Sequence, residues 1–282
     1  MQRKGGRSKL GKKETYERQL APLIERYFEK GDEARLLAYL TGGSNLPGPR
    51  ANLELLGAFG DLFTKRCRER AASYWKLAMK LAGMSSGVEG RDEPSEFGVL
   101  CGVVALASVG AALPQYLARA ATQMKGYSHS ERWRTREAAA IGLQRMIQSD
   151  AEKTLGELES WVEGEDDWLA MRAVAAGVAE PALVKDHTVA ERALDLHRKI
   201  LSRIASAGKC EGEEFRALRQ TLGYSLSVVV KEIPKEGFGY LRQIARGRSD
   251  PDLGWIVKEN LKKDRLVKNF PDEVKAVGKL VS

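Results

Sequence analysis

Two stretches of the sequence, RWRTREAAAIGL at 132–143 and DWLAMRAVAAGV at 167–178, match one another closely. Their tryptophans and their glycines are both 35 residues apart (168 − 133 and 177 − 142). Each stretch places small apolar residues at helical spacing after a polar start, so each predicts one helix of a repeated unit. A second echo, Leu-Gly-Tyr at 222–224 and Leu-Gly-Trp at 253–255, has a spacing of 31 (253 − 222). Periods of this size are typical of stacked helical units that bury their apolar faces against each other.

The composition is that of a folded protein with ample material for a core. Of 282 residues, 43% are hydrophobic and 30% are charged, and only nine are prolines. Helical periodicity recurs along the chain and no segment has the alternation of a β-strand, so the class predicted is all-α. The three cysteines, Cys67, Cys101 and Cys210, are far apart and lack C-x-x-C spacing, which favours a reducing cytoplasm over a disulfide framework or a zinc site.

Basic residues are in excess and are concentrated at the N-terminus. Lysine and arginine outnumber acidic residues by eight (46 − 38), and the pI is about 9.3. Such an excess favours polyanionic partners. Residues 1–13 contain six basic residues, no acidic residue and three glycines, which predicts a flexible basic arm. This arm either follows a phosphate backbone or is a solvated tail, and it has no apolar run of the kind that marks a secretory signal.

A long uncharged run separates Glu96 from Arg119 and needs its own interpretation. Its apolar part ends at Pro114, about two residues short of the usual 18-residue threshold for a membrane helix. Amphipathic segments lie on both sides. A helix that is apolar all round must be buried, so this run predicts a buried central helix rather than a membrane contact. Gly98 and Gly102 would then allow neighbouring helices to approach closely.

Two segments carry a resemblance to a known family. WRTREAA at 133–139 and DPDLGWIVKENL at 250–261 resemble the second helices of HEAT-like repeats, in which an acidic turn introduces a helix with a basic residue followed by small apolar residues. The spacings of 31 and 35 are similar to those of the DNA alkylation-repeat proteins, a HEAT-like group that includes base-excising DNA glycosylases. The resemblance is clearest over 130–282. It implies a right-handed α–α superhelix of HEAT-like repeats, here a single domain over 14–282, with a concave basic surface for duplex DNA.

The same resemblance implies candidate site residues, because in those glycosylases aromatic residues, an acid and an arginine line the pocket for the damaged nucleotide. Trp133, Arg136 and Glu137 are three or four positions apart and share one helical face. Trp168 and Arg172 are related in the same way in the second copy, where Arg172 follows Arg136 by 36 residues (172 − 136).

A packing interpretation of these residues is preferred, since a residue that recurs in a repeat usually serves stacking. In this interpretation the tryptophans pack between repeats. The two arginines pair with acids of the preceding turns, such as Asp166 or Asp167. The acidic cluster at 163–167 is then a solvated turn with Asp167 near a helix start.

The leading hypothesis is a non-catalytic helical-repeat protein that binds nucleic acid, in particular duplex DNA. The residues expected to contact phosphates are Arg3, Lys4, Arg7, Arg242, Arg246, Arg248, Lys258, Lys262 and Lys263. One alternative is a DNA glycosylase in which Trp133 or Trp168 stacks on the base and Glu137 stabilises developing positive charge or positions water. Another alternative is a scaffold that binds a protein partner.

No cofactor or metal is expected from the sequence. The three histidines, His129, His187 and His197, are isolated and lack metal-ligand spacing. The glycine-rich loop at 42–50 lacks the Gly-Lys-Ser/Thr ending of a P-loop, and no serine lies in a G-x-S-x-G elbow. The sequence therefore favours binding over catalysis.

Overall fold

The fold is described from a computed structural model that covers residues 11–84, 93–164, 166–208, 210–247 and 250–281. Within these ranges the chain forms helices joined by turns and contains no β-strand, which confirms the predicted all-α class. The sequence analysis expects one domain from residue 14 onward. Backbone contacts divide the chain into two compact units, Met1–Tyr116 and Leu117–Ser282, which we describe separately.

Unit 1 has five α-helices in its described residues, followed by a short 3-10 helix at Pro114–Tyr116. The helices are α1 (Lys12–Lys30), α2 (Glu33–Gly42), α3 (Leu53–Arg66), α4 (Ala71–Ala82) and α5 (Glu96–Ala112). Helix α5 packs against α2, α3 and α4, so it is the centre of this unit.

Helix α1 begins inside the segment predicted to be an arm, of which residues 1–10 lie outside the described residues. The carboxylate of Glu14 accepts the backbone N–H of Gly11 at 3.1 Å, which satisfies one free donor of the first turn. Lys12 and Lys13 are helical and form ion pairs with acids of α3, the second at 2.6 Å from Asp61. The final part of the basic segment is therefore folded onto unit 1.

The uncharged run forms α5, and every residue of this helix except Ala111 is buried. The prediction of a buried central helix is confirmed. Gly102 has the close-packing role expected of it, because a Cβ at this position would overlap the backbone of Ala82 in α4. Gly98 has only ordinary contacts, at 3.7 Å or more. Among the residues that the structure describes, none of the helices is both long enough and apolar enough to cross a membrane.

Unit 2 contains the segments with the sequence echoes. Its helices are α6 (Leu117–Ser128), α7 (Trp133–Ser149), α8 (Ala151–Glu163), α9 (Trp168–Val178), α10 (His187–Ser206), α11 (Glu213–Glu232), α12 (Pro234–Arg246), α13 (Pro251–Leu261), α14 (Asp264–Val267) and α15 (Pro271–Val281). The two matching stretches are α7 and α9, and each helix begins at its tryptophan.

Alternate helices of unit 2 are neighbours. Helix α7 packs on α9, α9 on α11 and α11 on α13, while α8 packs on α10. Two of the echoed glycines lie at these contacts: a Cβ on Gly177 would be 3.1 Å from Leu143, and one on Gly223 would be 3.0 Å from the Trp255 ring. The four helices α7, α9, α11 and α13 therefore form a row in which residues from different helices meet.

Candidate functional site

An ion pair joins the first two helices of this row. Glu137 of α7 accepts a hydrogen bond from the Nη2 of Arg172 in α9. The Arg172 side chain is only 9% exposed, whereas that of Glu137 is 40% exposed. The second terminal nitrogen of Arg172, Nη1, is buried and has no hydrogen-bond partner among the described residues. The pair thus presents a carboxylate to solvent above a guanidinium with one unused donor.

The third helix adds an aromatic residue to this pair. Tyr224 of α11 is 37% exposed, and its phenol lies within electrostatic reach of both Glu137 and Arg172. Loss of hydration raises the pKa of Tyr224, and the negative charge of Glu137 adds to this rise. We call Glu137, Arg172 and Tyr224 the ion-pair cluster. Its three members come from α7, α9 and α11.

Trp133 lies one helical turn before Glu137, on the same side of α7. Half of its surface is exposed, which is unusual for so large an aromatic side chain. The guanidinium of Arg134 lies 4.6 Å from the centre of the indole ring, and Arg134 itself is buried. A buried cation therefore supports the ring of Trp133, and part of its surface is open beside the ion-pair cluster.

Arg136 has a different role from Arg172. Its Nη1 donates to the carbonyl oxygens of Ser130 at 2.7 Å and Glu131 at 3.0 Å, so it holds the turn that precedes α7. Burial, and then the neighbouring charge of Arg172, lower the pKa of Arg136. It lines a cavity of about 450 Å³ together with residues that include Glu213 at the start of α11.

The second tryptophan behaves as the packing interpretation predicts. Trp168 is half-buried, and its ring meets Phe215 edge to face at 5.7 Å between centres. The acids named in that interpretation have other partners, however. Asp166 pairs with Arg203 at 3.0 Å, and Asp167 caps α9 and lies 2.8 Å from His129. The predicted pairing of the two arginines with these acids is therefore wrong.

The residues predicted to contact phosphates fall into three groups. Arg3, Lys4, Arg7 and Arg248 lie outside the described residues. Arg242 pairs with Glu273 and Lys262 with Glu259, so nearby acids offset these two charges. Arg246 and Lys258 are exposed and Lys263 is half-buried. Lys258 also lines a cleft of about 1010 Å³ with Arg198 and Tyr240.

Neither a family model nor a curated protein matches this sequence. The site must therefore be interpreted from its own geometry. In the described part of the chain, no three or more His, Cys, Asp or Glu side chains converge in a way that would hold a metal ion. The chemistry present in the row is that of a carboxylate, a guanidinium, a phenol and an exposed indole.

Proposed function

We propose that this chain is a helical-repeat protein, built as a HEAT-like α–α superhelix, that binds duplex DNA and holds a single base at the ion-pair cluster. The observation that supports this function is the convergence of Glu137, Arg172 and Tyr224 from three helices next to the exposed ring of Trp133. A set of structural residues would be expected to bury its aromatic ring and satisfy its donors.

The aromatic residues supply a surface for stacking. A base leaves the duplex at a cost of a few kcal/mol, and stacking on an aromatic ring returns about 1–3 kcal/mol. Trp133 suits this role because half of it is exposed and Arg134 supports it from below. Tyr224 is open to a lesser extent and offers a second aromatic edge.

The polar groups of the ion-pair cluster determine which kind of base binds there. The exposed side of the Glu137 carboxylate accepts hydrogen bonds and favours a positively charged base, while the buried guanidinium of Arg172 holds that carboxylate in place. The cluster is thus suited to a cationic base more than to a neutral one.

Base excision is a second candidate function, favoured by the position of Glu137 at the open side of the cluster. In this reaction the oxygen of a water molecule bonds to C1′ of the sugar, the N-glycosidic bond breaks with its electron pair leaving on the base, and the water releases one proton to the solvent. A cationic alkylated base departs as a neutral molecule. The carboxylate of Glu137 would stabilise positive charge that develops on the sugar, or orient the attacking water.

DNA binding is tested by fluorescence anisotropy with a labelled duplex at several salt concentrations. We expect affinity to fall steeply as salt rises, because cationic side chains displace counterions from phosphates. Trp133→Ala should weaken binding to a duplex with an unpaired or alkylated base by about tenfold, the equivalent of one stacked base. The same substitution should have little effect on an undamaged duplex. Absence of binding at low salt would refute the proposal and leave a protein-binding scaffold.

Base excision is tested by measuring release of alkylated bases from treated DNA. The informative variant is Glu137→Gln, which keeps the shape of the side chain and removes its charge. Glu159→Gln is a matched control, because Oε1 of Glu159 also accepts a hydrogen bond from an arginine of another helix. The donor is Nη2 of Arg192, at 2.8 Å. Release that is lost in Glu137→Gln and kept in Glu159→Gln supports catalysis. DNA binding without release by the unaltered chain would leave binding as the function.

A further inference from the structure

The turn of α11 that carries Tyr224 is held by a side chain from the next helix of the row. Asn260 of α13 is fully buried. Its Oδ1 accepts the backbone N–H of Ser227 at 2.7 Å, and its Nδ2 donates to the backbone carbonyl of Leu222 at 2.7 Å. A third bond, from Nδ2 to the carbonyl of Ile256 at 2.8 Å, anchors the amide to α13. One amide thus binds backbone groups on both sides of Tyr224.

These bonds are unusual for the middle of a helix. Helix α11 is continuous through this turn, so the amide of Asn260 adds bonds from another helix to backbone groups that belong to the helical ladder. The hydroxyl of Ser227 also donates to the carbonyl of Tyr224 itself at 2.6 Å. The backbone of α11 is therefore fixed by side-chain groups just before, at and just after the tyrosine.

Trp255 reinforces the same turn from α13. Its ring packs on Gly223, where even a Cβ atom would lie only 3.0 Å from it. The guanidinium of Arg219 lies 3.9 Å from the centre of the same ring, and Arg219 pairs with Asp252 at 2.6 Å. Trp255 of α13 thus contacts α11 at Gly223, directly before Tyr224, and at Arg219, just over one helical turn earlier.

We propose that Asn260 is a positioning residue that fixes the turn of α11 and thereby holds the Tyr224 ring beside the Glu137–Arg172 pair. This inference rests on the proposed function, in which the ion-pair cluster receives a base. Helix α13 contributes no residue to the ion-pair cluster. In this proposal it nevertheless sets the position of Tyr224 within that cluster. Without the amide, the backbone of Leu222 and Ser227 loses its bonds to α13, so this turn of α11 can shift relative to α13 and carry the Tyr224 ring with it.

The direct test measures Tyr224 itself and requires no DNA. Nitration by tetranitromethane, mapped by mass spectrometry, reports how exposed and how ionised each tyrosine is. In Asn260→Ala we expect nitration of Tyr224 to rise at least threefold, because a ring released from this turn is more open to the reagent and regains the hydration whose loss raises its pKa. Nitration of Tyr39 and Tyr240 in the same sample serves as the internal reference.

Two further variants separate positioning from general loss of stability. Leu77→Ala removes fully buried atoms from α4, which packs on α5 in unit 1, and should leave the nitration pattern unchanged. If Asn260→Ala does not fold, Asn260→Ser replaces it, because a serine hydroxyl can bond to the carbonyl of Ile256 and is too short to reach α11. Unchanged Tyr224 nitration in a folded Asn260 variant would overturn the proposal.

The effect on binding is measured by a double-mutant cycle. If Asn260 acts through the Tyr224 ring, Asn260→Ala weakens binding of the lesion-containing duplex in the unaltered chain and has no added effect in Tyr224→Ala, which lacks the ring. Additive losses would overturn the proposed route. If no variant binds DNA, the proposed function fails while the nitration result still decides whether Asn260 positions Tyr224.

Discussion

The central helices of the two units bury their surfaces by different means. Helix α5 of unit 1 is apolar all round, and the hydroxyl of its buried Ser108 bonds within the helix, to the carbonyl of Val104 at 2.8 Å. Helix α11 of unit 2 is also packed on several sides, but it buries Thr221, Ser225 and Ser227 among its apolar residues. The hydroxyl of Ser225 bonds to His197 of α10, and the backbone N–H of Ser227 donates to Asn260 of α13.

The two helices therefore differ in what fixes them: apolar packing holds α5, whereas hydrogen bonds also set the positions of particular residues in α11. Apolar contacts have no direction, so a helix such as α5 is fixed by the fit of its surface against its neighbours. Hydrogen bonds between side chain and backbone are directional, so they set where a given residue points. Unit 2 uses such bonds around Tyr224, beside the cluster proposed to bind a base. We therefore expect substitutions in unit 1 to act through tight packing, and substitutions in unit 2 to act through buried polar groups and the ion-pair cluster.

The largest effect is expected from Gly102→Ala in unit 1. The new Cβ would overlap the backbone of Ala82, which cannot rotate away as a side chain can, so α4 and α5 must separate. Overpacking of this kind costs about 3 kcal/mol of unfolding free energy. Urea denaturation followed by circular dichroism measures the loss, and hydrogen exchange should localise it to α4 and α5. Gly98→Ala is the control and should be neutral or slightly stabilising, because space exists there and alanine favours the helix.

A drop in pH should affect unit 2 through a buried histidine. His197 is fully buried between the carbonyl of Ala193 at 2.7 Å and the hydroxyl of Ser225 at 2.8 Å, and burial lowers its pKa from 6.5 to about 4. A histidine with a lowered pKa stabilises the fold above its unfolded pKa, and this contribution is lost as pH falls through its folded pKa. At pH 4.5 the loss should be about 2.5 kcal/mol.

The control for this prediction is a comparison of unfolding free energies at pH 7 and pH 4.5 in the unaltered chain and in His197→Gln. The acids contribute equally to both proteins, so the difference between them isolates the histidine. All three histidines lie after residue 116, so hydrogen exchange should show the histidine-dependent part of the loss in unit 2. An equal pH dependence in both proteins would show that His197 has the same pKa in the folded and the unfolded chain.

A smaller effect is expected when the ion pair loses its negative charge. Glu137→Gln leaves Arg172 buried with a neutral acceptor, and we expect a loss of about 1 kcal/mol because Glu137 is partly exposed. Glu159→Gln removes the same charge opposite Arg192, which is more exposed, and should cost about half as much. Equal losses would mean that burial of Arg172 does not strengthen its dependence on Glu137. Urea denaturation at pH 7 measures both.

The helices were accessible from the sequence because their signals are local. Apolar residues at helical spacing predict one buried face, and the uncharged run from Phe97 predicts a helix buried on all faces. Helix α1 starts before the predicted position because Glu14 reaches back to Gly11, a side-chain bond that periodicity does not encode. The superhelical arrangement of the repeats stays a prediction.

The cluster was less accessible because its members meet only after packing. Glu137 and Arg172 are 35 residues apart (172 − 137), which equals the spacing of the echoed tryptophans, so the repeat period itself was the available signal. The prediction from the sequence pairs Arg172 with Arg136 in the two copies, and these two arginines are 36 residues apart, one more than the repeat period. Tyr224 follows Arg172 by 52 residues (224 − 172), since the long helix α10 intervenes and breaks the period. Asn260 gave no signal, because a lone asparagine in a helix is usually at the surface.

The smallest effect on stability is expected from Tyr224→Phe, and it separates placement from packing most clearly. The ring keeps its contacts, and the lost hydroxyl belongs to a side chain that is 37% exposed, so unfolding free energy should change by less than about 0.5 kcal/mol. Binding of a duplex with an alkylated base should nevertheless weaken by about fivefold, the loss of one hydrogen bond near a charged group. Tyr240→Phe is the control, because burial raises the pKa of Tyr240 to about 12 and α12 lies outside the row of α7, α9, α11 and α13. A Tyr224→Phe protein that binds as tightly as the unaltered chain would show that the phenol oxygen takes no part in recognition, and would restrict the role of α11 to supplying a ring.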